Sequence, residues 1–119
     1  MPLTPAADPH LTEFPDGFFR RQDHSDDTIF YAYDRFVTHI DDGAIAAVGE
    51  LYSELGLAGD VLDICSSWIS HFRNKPRRLD ITGMNAAELA ANEMADSWVV
   101  ADLNVDPVLP FGDASFDAV

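Results

Sequence analysis

Three polar side chains, Asp63, Asn85 and Asp102, each follow a short apolar run and stand about twenty residues apart, the spacing of successive strand–helix units. In an open α/β sheet, ligands bind beyond the carboxyl ends of the strands. Three residues so placed would line one site. Two carboxylates and an amide there can accept from the hydroxyl and amine groups of a small ligand, and Ser66 and Ser67 add two hydroxyls. Each residue also has a plainer use. Asp63 can tie down loop amides, Asn85 can cap a helix with Glu88 three residues on, and Asp102 can hold the turn before Leu103. Cys65 with His71 raises a thiol nucleophile, but no third residue orients the pair. His39 is either a proton carrier or a contact at a helix entry. Asp117, between Phe116 and Ala118, suits the surface of an edge strand.

The elements that must position these residues follow from periodicity. Residues 1–28 are rich in Pro, Asp and His, with Pro2, Pro5, Pro9 and Pro15 against any helix. They read as a flexible arm that Phe14, Phe18 and Phe19 can dock. Residues 29–119 form the domain. The aromatic stretch from Ile29 to Ile40 places Tyr31 and Tyr33 where they either cover a ligand or pack the arm. Asp41 or Asp42 caps a helix, with Ile45, Val48, Tyr52 and Leu55 at helical spacing, Ala44, Ala47 and Leu51 widening the face, and Gly56 closing it. Val61 to Ile64 reads as a buried parallel strand. Ser66 or Ser67 then caps a helix carrying Trp68, Ile69 and Phe72. A second strand covers Leu79 to Met84. Asn85 opens a helix to about Asn92, with Ala86, Leu89 and Ala90 inward. A third strand covers Trp98 to Ala101, and a fourth begins at Phe116. The order is that of an open parallel α/β sheet.

Composition narrows the function classes. With 119 residues there is at most one domain. A net charge of −14 repels nucleic-acid phosphates. The basic run Arg73, Lys75, Arg77 and Arg78 reads as a solvated loop beside Pro76 rather than an RNA contact. One cysteine allows no internal disulfide and no cysteine-rich zinc site, and no metal site is predicted. No signal peptide or membrane-length apolar run is found. The expectation is a cytoplasmic protein with a small-molecule substrate and no nucleic-acid or membrane partner.

Val61-Leu62-Asp63-Ile64-Cys65 resembles the first motif of class I S-adenosylmethionine-dependent methyltransferases, an acidic residue followed by a glycine-rich turn. Gly83-Met84-Asn85-Ala86-Ala87-Glu88-Leu89 is similar to the second, where an acidic residue holds the ribose. Ala101-Asp102-Leu103 is similar to the third, where an aspartate meets the adenine amine. Leu109-Pro110-Phe111 with Asp113 and Ser115 to Val119 resembles the loop and fourth strand of the ubiquinone/menaquinone-type ("type 11") branch. The Cys-Ser-Ser-Trp-Ile-Ser-His wording and Thr38 to Asp42 are similar to a methyltransferase-like subgroup. The resemblance implies a Rossmann-like open parallel sheet cut short after the start of strand four. It implies S-adenosylmethionine as cofactor, with Asp63, Cys65, Ser66, Ser67, Met84, Asn85, Asp102 and Leu103 around it. It names no catalytic base and no methyl acceptor.

The departures from that pattern define the rivals. Cys65, Ser67 and Ile69 stand where the family has glycines, which allow positive φ. The turn is therefore expected to take another path, with Ile69 already inside a helix. Asn85 replaces a carboxylate. A non-catalytic module of the same fold is one alternative. A dinucleotide oxidoreductase is another, disfavoured because G-x-G-x-x-G is absent. As a fragment, the chain is expected to be inactive in methyl transfer alone, and to unfold in part or self-associate.

Overall fold

The computed structural model describes residues 14–119; the first part of the expected arm, with Pro2, Pro5 and Pro9, lies outside the described residues. Three parallel strands form an open sheet in the order β1 (Asp60–Asp63), β2 (Arg78–Gly83), β3 (Ser97–Val100). The fold is α/β, as expected. On the edge of β1 away from β2, Ala118 makes a parallel bridge to Val61, with Leu62 N donating to Ala118 O at 3.0 Å. The fourth segment thus enters the sheet beside the first.

Apolar alternation places the core. Val61, Leu79 and Ile81 share one side of the sheet and cluster with Leu89 and Phe72. β2 is central and buried from Leu79 to Gly83, whereas Trp98, Val99 and Val100 of β3 are exposed. Helix α2 (Asp42–Glu54) starts where Asp41 accepts from Ala44 N at 2.8 Å, and Asp42 faces the positive end of its dipole. It ends before Gly56, whose φ of +67° needs glycine. Tyr52 stacks on Phe72 with ring centroids 4.7 Å apart. Gly49 is buried, and a Cβ there would come within 2.7 Å of His71 O. The apolar face is narrower than its sequence pattern: Ala47, Leu51 and Leu55 are exposed, because α2 packs on the segment around His71 rather than across a broad sheet face.

The helix expected after β1 is absent. Residues 64–77 cross from β1 to β2 without regular structure. The physical reason is that their polar groups have better partners elsewhere. Ser66 N donates to Thr82 O at 2.7 Å, Ser67 Oγ donates to Glu88, Trp68 Nε1 donates to Val37 O, and Asn92 Nδ2 donates to Ser67 O and Ser70 Oγ. The Ser67 hydroxyl is thus taken by Glu88 and the Ser66 backbone is held against β2, so neither serine caps a helix, and Ile69 lies in irregular chain. The short helix α3 (Ala86–Ala90) follows β2. Leu89 is buried, but Ala86 and Ala90 face outward, since five residues present only one narrow inner stripe.

At the amino end, Phe14, Phe18 and Phe19 pack on one another, with ring centroids 4.7–5.1 Å apart, and remain exposed. The domain is instead met by the next stretch, from helix α1 (Asp27–Phe30) to Phe36. Asn104 Nδ2 donates to Asp27 Oδ2, Asn85 Nδ2 donates to Tyr31 O and Asp34 Oδ1, and Arg35 N donates to Glu88 Oε2.

Candidate functional site

The carboxyl ends of β1, β2 and β3 open into one cleft of about 590 Å³, within the range of small-molecule sites. The turn Cys65-Ser66-Ser67 forms one wall. Gly83, Met84 and Asn85 form the floor after β2. Ala101, Leu103 and Asn104 line the β3 side, and Phe30, Tyr31 and Arg35 of the amino-terminal segment, the strap, line the cleft as well. Six of the eight residues expected around a cofactor therefore meet here: Cys65, Ser66, Ser67, Met84, Asn85 and Leu103.

The turn does not take another path at Cys65. That residue itself adopts φ +54°, the left-handed conformation a glycine would hold without cost. A side chain there costs about 1–2 kcal/mol, and the arrangement persists because its neighbours fix it. Ser66 N is bound to Thr82 O, and Gly83 lets the Ser66 carbonyl approach so closely that a Cβ would collide with it. The glycine demanded by this close approach thus lies on β2, opposite the turn.

Asp63 and Asp102 stand apart from the main cleft. Asp63 lines a smaller cavity of about 220 Å³ behind the turn, with Tyr52, Ile69 and His71. Burial pushes its carboxyl above the ordinary 3.8; the neighbouring Ser66 hydroxyl, which makes no full hydrogen bond, and the charge of His71 oppose this only in part. Burial, then the charge of Asp63, raises the Tyr52 hydroxyl. Ser66 Oγ and His71 Nδ1 are buried without a partner among the described residues. Cys65, His39 and the two serines border both cavities. Asp102 takes the turn role: its Oδ1 accepts from Asn104 N at 3.0 Å, and its carbonyl accepts from Val105 and Asp106.

Asn85 is a helix cap and a strap anchor together. Its Oδ1 accepts from Glu88 N at 3.0 Å, while its amide donates to Tyr31 O and Asp34 Oδ1. Its polar groups are engaged within the chain. Glu88, expected only as the reciprocal partner of that cap, does not reach back to it. The Glu88 carboxylate, 7% exposed, accepts from Ser67 Oγ and from Arg35 N and lines the cleft. The sequence signal for Glu88 was its place one helical turn after a strand end, and the capping pattern hid it.

No family model, curated protein or solved structure matches this chain.

The basic run lies at the opposite end of the sheet, and its cations are matched. Arg73 pairs with Glu50 at 3.8 Å, Lys75 with Asp96 at 2.7 Å, Arg77 with Asp60 at 3.0 Å, and Arg78 with Asp80 at 3.1 Å. Asp117 is exposed but accepts from Asp60 N at 2.8 Å and lies 3.6 Å from Arg77, so it fastens the fourth segment rather than facing water alone. Among the described residues no three His, Cys, Asp or Glu gather as a metal ion would need, and no helix is long and apolar enough to cross a membrane.

Proposed function

We propose that the cleft binds S-adenosylmethionine and that the chain is the cofactor-binding part of a class I methyltransferase. The observation that carries this reading is the convergence of Cys65, Ser66, Ser67, Met84, Asn85 and Leu103 on one cleft at the carboxyl ends of three parallel strands. The entry of Ala118 beside β1 supports it, because the resembling family inserts its fourth strand on that side.

The electrostatics agree with a cationic ligand. Glu88 and Asp27 line the cleft and the chain carries a net charge of −14; Asp27 is paired with Arg21 at 3.0 Å, and the Arg35 guanidinium is engaged with the carbonyls of Phe30 and Tyr33. A diphosphate would meet those carboxylates. It would also lack the helix N-terminus that normally cradles it, since no helix follows β1. This disfavours a dinucleotide. When bound, S-adenosylmethionine would supply an electrophilic methyl group. The chain's own contribution is to bind the donor and hold it in line with an acceptor.

Calorimetric titration with S-adenosylmethionine, S-adenosylhomocysteine and NAD tests the reading. Saturable binding of the first two and none of the third is expected. Binding of none would favour a non-catalytic module, and binding of NAD alone would favour an oxidoreductase.

A further inference from the structure

We infer that the outer edge of β3 is an interface, and that its partner is a second copy of this chain, paired antiparallel so that two sheets become one. The inference goes beyond the reading of the cleft and does not depend on it. Among the described residues β3 has β2 on one side and no strand on the other, and the fourth segment joins the sheet at β1, the far edge. Asp96 N donates inward to Leu79 O at 2.8 Å. Backbone direction alternates along a strand, so Trp98 and Val100 also turn towards β2, whereas Ser97 and Val99 turn their N–H and C=O groups outward. Beyond the ladder to β2, those outward groups have no backbone partner among the described residues.

The side chains match the open backbone. Trp98, Val99 and Val100 are 42%, 36% and 48% exposed, and they stand on both faces of the sheet. From Ser97 to Ala101 there is no charge, proline or glycine, so the edge lacks the charges and prolines that keep free edges from pairing. An antiparallel pair about a twofold axis at Val99 is self-complementary. Val99 meets its own copy in a hydrogen-bonded pair, since both turn outward, and Trp98 meets the partner's Val100 on each side of the axis. Aromatic and β-branched side chains opposed in this way are favourable pairs. At each end Asp96 comes opposite the partner's Asp102, and Lys75, 2.7 Å from Asp96, supplies a cation between the two carboxylates. The copies thus complement one another in charge as well as in apolar surface. The antiparallel arrangement sets the two clefts at opposite ends of the joined sheet. A twofold contact of this kind closes on itself, so it yields dimers.

Sedimentation velocity on the chain at rising concentration should show a reversible monomer–dimer equilibrium. Val99→Lys, which sets two like charges opposite each other, should weaken the dimer about tenfold or more. Val99→Pro removes an outward N–H and leaves the ladder to β2 intact, and should weaken it about tenfold, the worth of the two lost hydrogen bonds. Val99→Ile should change it less than about threefold. Hydrogen exchange supplies the register: the Ser97 and Val99 amides should be protected in the dimer and lose that protection in Val99→Lys, while β2 keeps its own, which also shows that the variant folds. A wild-type chain that stays monomeric at every concentration would overturn the inference. A dimer unmoved by Val99→Lys in a folded protein would overturn it too, by placing the contact elsewhere. Dissociation of the dimer as salt rises would do the same, because two acidic copies joined through an apolar edge are held more tightly when their repulsion is screened.

Discussion

The two ends of the same three strands are built differently. At the amino ends, carboxylates and cations alternate and are matched: Lys75 with Asp96, Arg77 with Asp60, Arg78 with Asp80. Asp96 also accepts from Leu79 N, and Asp117 from Asp60 N. At the carboxyl ends, Cys65 holds a left-handed φ, Ser66 Oγ lacks a partner, Glu88 is half satisfied, and the Asp63 carboxyl is pushed up by burial. One end fastens the sheet. The other carries strain and unmade hydrogen bonds beside an open cleft, which is where such features belong when a ligand completes them.

Two glycines give the largest contrast. A Cβ at Gly83 would collide with the Ser66 backbone carbonyl and reach Leu89 at 3.0 Å, whereas a Cβ at Gly59 would collide with the Asp117 carboxylate, an exposed side chain able to swing away. Gly83→Ala should therefore cost about 2–3 kcal/mol, as overpacking against fixed neighbours does, and should deform the turn. Gly59→Ala should cost about 1 kcal/mol, the worth of the Asp117–Asp60 hydrogen bond. Urea melts of the two variants check this, and equal losses would mean that both ends are equally rigid.

Asn85→Asp comes next. The cap on Glu88 N survives, but the two amide donations to the strap are lost and a carboxylate is set against Asp34. A loss of about 1–3 kcal/mol is expected, confined to the strap: hydrogen exchange should speed up over residues 31–36 and stay unchanged in β2. Faster exchange in β2 would show that Asn85 supports the sheet itself.

A third contrast is in pH. Asp63 has its proton held more tightly in the folded state than in the unfolded chain, so its charge opposes folding at neutral pH; that penalty fades as pH falls through its raised pKa towards 3.8. Asp96 is the reverse. Lys75, and then the Leu79 amide, hold its carboxyl below 3.8, so its contribution is full above 3.8 and is lost as pH falls through the lowered value. Asp63→Asn should raise the melting temperature at pH 7 and lose that gain in acid. Asp96→Asn should lower it at pH 7 and lose that deficit in acid. Thermal melts from pH 7 to pH 3 decide, and matching signs would contradict the contrast.

Cys65→Gly should have the smallest effect. Relief of the left-handed backbone is offset by the entropy glycine loses on folding, leaving a net gain of about 1 kcal/mol or less. Cys65→Val should be clearly destabilising. A stabilising valine would show that the turn carries no strain.

Much of the sheet was legible in the sequence because its signals are local. Short apolar runs gave β1, β2 and β3 within a residue or so, and Asp41 and Gly56 marked the ends of α2. The segment after β1 was not legible, since its serines look like caps when read alone, whereas the Ser66 backbone is held by Thr82, the Ser67 hydroxyl by Glu88 and the Ser70 hydroxyl by Asn92, all distant in sequence. The same reason hid Glu88: nothing local shows that Ser67 and Arg35 converge on it. At Cys65 the residue type argued against a left-handed turn, and the tertiary contacts of Ser66 with β2 overrode it.

Mapping amide chemical shifts during titration with S-adenosylhomocysteine tests the division between the two ends most directly. The account predicts shifts confined to the carboxyl ends, at residues 65–67, 83–88 and 101–104 and in the strap at 30–35, with residues 75–78, 96–97 and 117 unmoved. Shifts centred on the amino ends, or none at saturating ligand, would contradict it.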